Sequence, residues 1–275
     1  MVKKLVKAFF NLLGVRVMLK KNSYVLNSYI KDLEKNYFSI KPEHKMFKII
    51  DRKDLDYFRF IQRTKSQFGQ EILALSINNW KRNGYFVEFG ALDGIQHSNT
   101  YLLEKEFEWT GILAECGKKW KKALEQNRDC HIEDRAVWRE SGKELTFLAC
   151  EADGLSTIEQ YRSADLHEKL RSNGETYKVS TITLEDLLIK YNAPSRIDYI
   201  SIDTEGSEWD ILENFPFKNY QIGLITIEHN FNLNREKIRG LLKRNGFKQI
   251  YSDLSDIEDW YVPLQTSIVR EDGTY

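Results

Sequence analysis

From about residue 85 onward, short runs of β-branched and aromatic residues alternate with longer stretches whose apolar positions recur at helical spacing. This alternation is typical of βαβ units, in which helices connect parallel strands. It predicts strands at residues 85–89, 111–115, 130–134, 197–203 and 222–228. It predicts helices at residues 99–107, 118–126, 208–214 and 235–244. We therefore expect a doubly wound α/β domain, with Asn245-Gly246 ending the last helix.

Two segments depart from this alternation. Residues 22–82 have a polar, helical pattern and predict a helical preface to the sheet. Residues 155–177 are irregular and rich in Ser, Glu and Lys, which favours a surface insertion beside the site. We expect that insertion to influence substrate choice.

The first twenty or so residues form a basic amphipathic segment. Residues 2–21 carry six Lys or Arg and no acid, and their apolar positions recur at helical spacing. Such a helix can lie on an anionic membrane surface or pack its apolar stripe on its own domain, and the pattern leaves both open. The expected organisation is an extension over residues 1–65 and a catalytic domain over residues 66–275.

Composition narrows the class of function. The chain has 275 residues, with 41 basic and 41 acidic side chains, so no overall positive charge favours nucleic acid. Its three cysteines show no CxxC spacing, which disfavours disulfides and a zinc site and favours a reducing cytoplasm. No run reaches the roughly 18 to 20 apolar residues of a spanning helix. We expect a cytoplasmic protein, at most in contact with the inner face of the membrane, and the oligomeric state stays open.

A glycine turn follows the first predicted strand, and this is where open α/β sheets bind ligands. The turn contains Gly90 and Gly94 together with Glu88 and Asp93, so it is not a G-x-G-x-x-G phosphate cradle. Two carboxylates disfavour a pyrophosphate and suit a cationic ligand without phosphate, such as S-adenosylmethionine. Glu115 lies 21 residues after Gly94, where a carboxylate accepts hydrogen bonds from a ribose diol.

Two further strand ends are rich in acids. Asp203, Glu205 and Glu208 surround Gly206, and the helix dipole alone would account for Glu205 and Glu208, but not for Asp203 at strand depth. Glu228 and His229 end the next strand, where they supply groups able to ligate a metal or accept a proton.

These motifs resemble those of the FkbM family of methyltransferases over roughly residues 65–263. The resemblance rests on the following segments: residues 66–70 (SQFGQ), 86–94 (FVEFGALDG), 98–100 (SNT), 103–105 (LEK), 109–115, 127–128, 136–137, 201–208 (SIDTEGSE), 227–230 (IEHN) and 259–262 (DWYV). It implies a mostly parallel, seven-stranded sheet of the class I (Rossmann-like) methyltransferase type.

The resemblance also implies roles for individual residues. The expected S-adenosylmethionine-binding residues are Glu88, Gly90, Ala91, Asp93, Gly94, Ser98, Asn99, Thr100, Glu115, Asp134, Arg135 and Ala136. The expected catalytic residues are Asp203, Glu205 and His229, and a Mg²⁺ or other divalent cation would bind Asp203, Glu228 and His229. Whether Glu228 binds an ion or only the substrate stays open, because spacing does not fix a ligand count.

The expected reaction is O-methylation of a sugar hydroxyl in a surface glycan or glycosylated metabolite. A polyketide or other small-molecule alcohol is the alternative acceptor. Two competing classes are a nucleotide-sugar-modifying enzyme of Rossmann type and a membrane-docked scaffold without catalysis. The missing phosphate cradle disfavours the former, and the acids at the strand ends disfavour the latter.

Overall fold

The computed structural model describes residues 59–150, 154–163, 168–171, 174–252 and 254–268. The predicted amphipathic segment, most of the helical preface and the last seven residues lie outside these ranges. No helix in the described ranges is long and apolar enough to span a membrane.

A seven-stranded sheet forms the centre of the fold. Its members are β1 (Tyr85–Phe89), β2 (Thr110–Ala114), β3 (His131–Glu133), β9 (Tyr199–Ile202), β11 (Ile225–Glu228), β12 (Phe247–Ile250) and β13 (Glu258–Pro263). Their order across the sheet is β12-β13-β11-β9-β1-β2-β3.

Helices connect and cover these strands. They are α1 (Gln70–Ile77), α2 (Tyr101–Phe107), α3 (Lys121–Asn127), α4 (Leu184–Lys190), α5 (Glu208–Leu212) and α6 (Arg235–Arg244). Alternate strand residues face opposite sides of the sheet, so Phe86 and Leu113 pack in one apolar core, and Val87 and Ile112 pack in the other.

The predicted sheet needs one correction. The prediction was a mostly parallel sheet, but the observed sheet is mixed. The strands from β3 to β11 are parallel neighbours, whereas β13 runs antiparallel to both β11 and β12. The physical reason is the short connection between β12 and β13, because a parallel neighbour would need a crossover of a dozen or more residues.

A second, four-stranded sheet stands beside the first. It contains β4 (Ala136–Val137), β5 (Glu144–Ala149), β6 (Thr157–Ile158) and β7 (Glu175–Ile182), in the order β4-β7-β5-β6. Two residues each from β8 (Arg196–Ile197) and β10 (Gln221–Ile222) form a small parallel pair. The segment predicted as an irregular insertion thus contributes β6, part of β7 and two short 3₁₀ turns.

Strand register brings the chemical motifs together. Phe89 is level with Ala114 on β2 and with Ile202 on β9, and Ile202 is level with Ile227 on β11. The residues that follow these positions therefore leave the sheet at one edge, as carboxyl ends of parallel strands do.

Candidate active site

A cavity of about 280 Å³ lies at this edge. Its lining includes residues from the strands of the main sheet and the loops that follow them, namely Glu88, Gly90, Asn99, Glu115, Asp203, Glu205 and Glu228. The second sheet and its connections contribute Phe147, Leu155, Ser156 and Ile158. The second sheet and its connections thus form one wall of the cavity. We call residues 154–163, which contribute to this wall, the wall segment.

Glu88 organises the turn after β1. Its Oε1 accepts a hydrogen bond from the Asn99 amide at 2.7 Å, and its Oε2 accepts hydrogen bonds from the hydroxyls of Ser98 and Thr100. Burial raises the pKa of Glu88, while Arg128 and these donors lower it. Glu88 therefore stabilises the loop that begins α2, as well as lining the cavity.

Gly90 allows two loops to meet. Its φ is +76°, and a Cβ atom there would lie 2.0 Å from the backbone oxygen of Asp203. Any larger residue would displace the loop that carries the acids.

The other predicted residues of this turn support it from outside the cavity. Asp93 Oδ1 accepts hydrogen bonds from the amides of Ile95 and Gln96, which is a local turn contact. Ala91, Asp93, Gly94, Ser98 and Thr100 do not line the cavity, among the residues that the structure describes.

Glu115 lines the cavity at the end of β2. Its two oxygens accept hydrogen bonds from the amides of Leu92 at 3.0 Å and Gly117 at 2.6 Å. Burial raises its pKa, and these two amides lower it. The carboxylate is thus fixed in orientation, as a ribose-binding group requires.

The cofactor-binding residues predicted after β3, Asp134, Arg135 and Ala136, differ in their placement. Arg135 and Ala136 line the cavity, and Arg135 also forms an ion pair with Glu133 at 2.8 Å. The Asp134 side chain is 59% exposed, is paired with Lys121 and does not line the cavity.

Three carboxylates converge at the ends of β9 and β11. Oxygens of Asp203, Glu205 and Glu228 lie within 4.8 Å of one another. Burial and the nearby Asp203 and Glu205 raise the pKa of Glu228 well above its usual value. Burial also raises the pKa of Asp203. A hydrogen bond with Glu228 and the electrostatic interaction with His97 lower this pKa, but their effect is smaller. Among the described residues, Glu228 Oε2 is buried without a hydrogen-bond partner, so the cluster presents an unsatisfied acceptor.

Arg171 neutralises part of this charge. Its Nη2 donates to Glu205 Oε2 at 2.6 Å, and its Nε donates to the Leu155 carbonyl at 2.8 Å. The hydroxyl of Thr157 donates to the Glu205 carbonyl at 2.8 Å. Glu205, at φ +58°, is therefore held from two sides by elements of the wall.

Two more buried acids surround the cluster. The pKa of Glu208 and the pKa of Glu258 are each raised to about 7, chiefly by burial. Glu208 Oε1 accepts hydrogen bonds from Thr204 and from the Gly206 amide. Ser207 makes no side-chain cap to α5, whereas Glu208 and Asp210 lie in its first turn, where the helix dipole favours acids.

His229 is placed apart from the three carboxylates. It does not line the cavity, its Nδ1 accepts a hydrogen bond from the Phe231 amide at 3.0 Å, and its Nε2 lies 3.7 Å from Asp259. Burial lowers its pKa. The sequence analysis expected His229 as the third metal ligand beside Asp203 and Glu228. In the structure the carboxylate that lies beside those two is Glu205.

Sequence reasoning missed several cavity residues. His97 and Trp120 line the cavity from the loops after β1 and β2, and Arg171 holds its acidic side. His97 lies three residues after Gly94, so its proximity to the glycine turn was an available signal. Nothing in the local pattern around Arg171 indicates its distant partner.

The family model for the methyltransferase FkbM domain matches residues 88–257, which contain all of these strand ends. The chain belongs to the FkbM methyltransferase family. It is therefore a methyltransferase, and family membership implies a methyl donor of the S-adenosylmethionine type.

Other comparisons add little to the family assignment. The chain is similar to the precorrin-6y C5,15-methyltransferase of Geobacter metallireducens GS-15, with 12% identity and a TM-score of 0.35. That alignment covers 65% of this chain and 70% of the other. No curated protein gives a significant match.

Proposed function

We propose that this FkbM-family enzyme transfers a methyl group from S-adenosylmethionine to a hydroxyl of a sugar in a glycan or glycosylated metabolite. The observation that carries the proposal is the acid cluster with its unsatisfied Glu228 oxygen, in the same cavity as Gly90 and Glu115. A cluster of this kind suits a cationic cofactor beside a neutral hydroxyl.

The cofactor end of the cavity follows from the first two strand ends. Glu115 has a fixed carboxylate for a ribose diol, and Trp120 offers an aromatic surface beside it. Glu88 and Asp203 also line the cavity, where an ammonium or sulfonium group gains from negative charge.

The acceptor end is formed by the acid cluster and the wall segment. Polar groups there include Ser156, Thr204 and Glu228, and apolar ones include Leu155 and Ile158. This mixture fits a polyhydroxyl ligand that presents one apolar ring face.

The chain's own groups supply positioning and a proton acceptor. S-adenosylmethionine brings an electrophilic methyl group on a sulfonium. Burial raises the pKa of both Asp203 and Glu228, and their carboxylates lie close together, so this pair accepts the proton of the attacking hydroxyl. The wall and the Glu205 loop hold that hydroxyl in line.

A divalent cation fits the same cluster. Three carboxylate donors, one of them an orphaned buried oxygen, match the preference of Mg²⁺ or Mn²⁺ for oxygen ligands. We propose Asp203, Glu205 and Glu228 as the ligands of this ion. Glu205 thus replaces His229 in the ligand set expected from the sequence. The ion would lower the pKa of a bound hydroxyl.

Deuterated-methyl S-adenosylmethionine tests the proposal. Extracted glycans and metabolites from cells lacking the gene are incubated with purified enzyme, and mass spectrometry locates the labelled methyl group. We expect a labelled sugar oxygen. A label on a polyketide-type alcohol would change the acceptor class, and the absence of calorimetric binding to S-adenosylhomocysteine would contradict the proposal as a whole. Repeating the assay after chelation tests the ion separately.

A further inference from the structure

An exposed apolar loop follows the active-site strand β11. Phe231 is 60% exposed and Leu233 is 96% exposed, two positions apart. The loop begins directly after Glu228, which lines the cavity. Two of the four exposed large hydrophobic side chains in the described residues therefore lie at the same sheet edge as the site.

This loop, residues 229–234, has a defined conformation. The Phe231 amide donates to His229 Nδ1, the Asn232 amide donates to the His229 carbonyl at 2.6 Å, and the Asn234 amide donates to Asn232 Oδ1 at 2.9 Å. Asn230 and Phe231 both have positive φ, an uncommon conformation for residues with side chains. The chain thus holds an unfavourable backbone geometry in which both apolar side chains point into solvent.

A basic helix follows the loop at once. On α6 the exposed charged side chains are Lys237, Arg239, Lys243, Arg244 and the single acid Glu236. Glu236 is 3.7 Å from Arg239, which leaves a net positive surface. Ile238 and Leu242 point into the core, so the charged face is the outer one.

We propose that the loop and α6 form a docking surface for an anionic lipid bilayer. Apolar side chains that reach the acyl boundary beside basic side chains at the headgroups are the usual composition of an interfacial membrane site. Residues 2–21 likewise combine basic and apolar positions in sequence, and they contain no acid. As a consequence that rests on the proposed function, the acceptor sugar would be carried on the membrane surface.

Vesicle co-sedimentation of the full chain tests the surface. We compare wild type with Phe231→Ser/Leu233→Ser, and with Ile189→Ser/Leu264→Ser as a matched control, because Ile189 and Leu264 are also exposed, at 62% and 58%. On phosphatidylcholine–phosphatidylglycerol vesicles we expect the loop variant to bind about tenfold more weakly and the control to stay within about twofold of wild type. Lys243→Glu/Arg244→Glu should weaken binding by about tenfold or more, and added salt should do the same.

Calorimetry with S-adenosylhomocysteine checks that each variant retains its fold and cofactor site, and so separates a failed docking surface from a failed proposed function. The docking surface is overturned if wild type ignores phosphatidylglycerol vesicles, or if the loop variant binds them as wild type does. It is also overturned if light scattering shows that the loop substitutions instead dissociate a dimer, because the surface would then pair two copies of the chain.

Discussion

The guanidinium of Arg171 donates to the carboxylate of Glu205 at 2.6 Å, and both side chains are buried. Because Arg171 also contacts the wall segment through the carbonyls of Leu155 and Arg162, it connects that segment to the acidic loop that carries Glu205. A buried guanidinium is expensive unless every donor is used, and Arg171 also donates to the carbonyls of Leu155 and Arg162.

Arg171→Gln should therefore destabilise the protein by about 3 kcal/mol, because it leaves Glu205 as an uncompensated buried charge. Urea unfolding measures the change. Arg162→Gln is the control, since its guanidinium is 38% exposed and its loss should cost less than about 0.5 kcal/mol. In Arg171→Gln/Glu205→Gln we expect part of the stability to return, and strictly additive losses would show that the pair is not coupled.

Asp203→Asn and Glu228→Gln should each lower turnover by about a hundredfold or more, because each breaks the carboxylate pair that accepts the hydroxyl proton. The affinity for S-adenosylhomocysteine should stay within about tenfold. Initial rates with the acceptor identified by the labelled methyl group measure the first effect, and calorimetry measures the second. Glu144→Gln, on the exposed end of β5, is the matched control. Rates like wild type in either variant would remove that residue from the chemistry.

Glu115 and Asp134 were both predicted to bind the cofactor, and their surroundings now separate them. Glu115→Gln should weaken S-adenosylhomocysteine binding by roughly 30-fold, as expected when a buried charged hydrogen bond to a diol is lost. Asp134→Asn should change it by less than about twofold, since that side chain is exposed and outside the cavity. Equal effects of the two substitutions would contradict this division of the adenosine site.

Sequence reasoning succeeded where one segment carries its own signal. The strand Tyr85–Phe89 and the helix Arg235–Arg244 have the predicted bounds, because a dense apolar run and a regular helical period are local features. The convergence of Asp203 and Glu228 also followed from sequence, since adjacent parallel strands end at one edge.

Reasoning from local pattern failed where a residue's role depends on a distant partner. β5 pairs with β7 about thirty residues later, and nothing near Glu144–Ala149 indicates that pairing. Arg171 reaches Glu205, 34 positions away. Asp93 shows the converse case. It lies in the glycine turn, as expected, but its carboxylate accepts hydrogen bonds from backbone amides two and three residues later instead of lining the cavity.

Glu71 gives the fold a measurable pH dependence away from the site. Burial raises the pKa of Glu71 to about 6, although Thr64 and the amides of Leu102, Lys65 and Ser66 lower it. A folded-state pKa above the unfolded value means that the folded state binds the proton more tightly. Stability from this group is therefore complete below about pH 4.5 and is lost as the pH rises through about 6, by about 2 kcal/mol in total. Urea midpoints between pH 4.5 and 7.5 should fall less in Glu71→Gln than in wild type, and parallel curves would contradict the assignment.

His229 distinguishes a loop anchor from a catalytic base. Its Nδ1 accepts the Phe231 amide, and an asparagine at position 229 can present Oδ1 as an acceptor near the same point. An anchor predicts that His229→Asn keeps turnover within about threefold while His229→Ala loses it, because only alanine leaves the Phe231 amide without its acceptor. A base predicts that both variants lose turnover by about a hundredfold, since the amide of asparagine does not accept a proton at neutral pH. From the contacts of His229 we expect the first outcome, and initial rates of the two variants, compared at matched cofactor saturation, measure the difference.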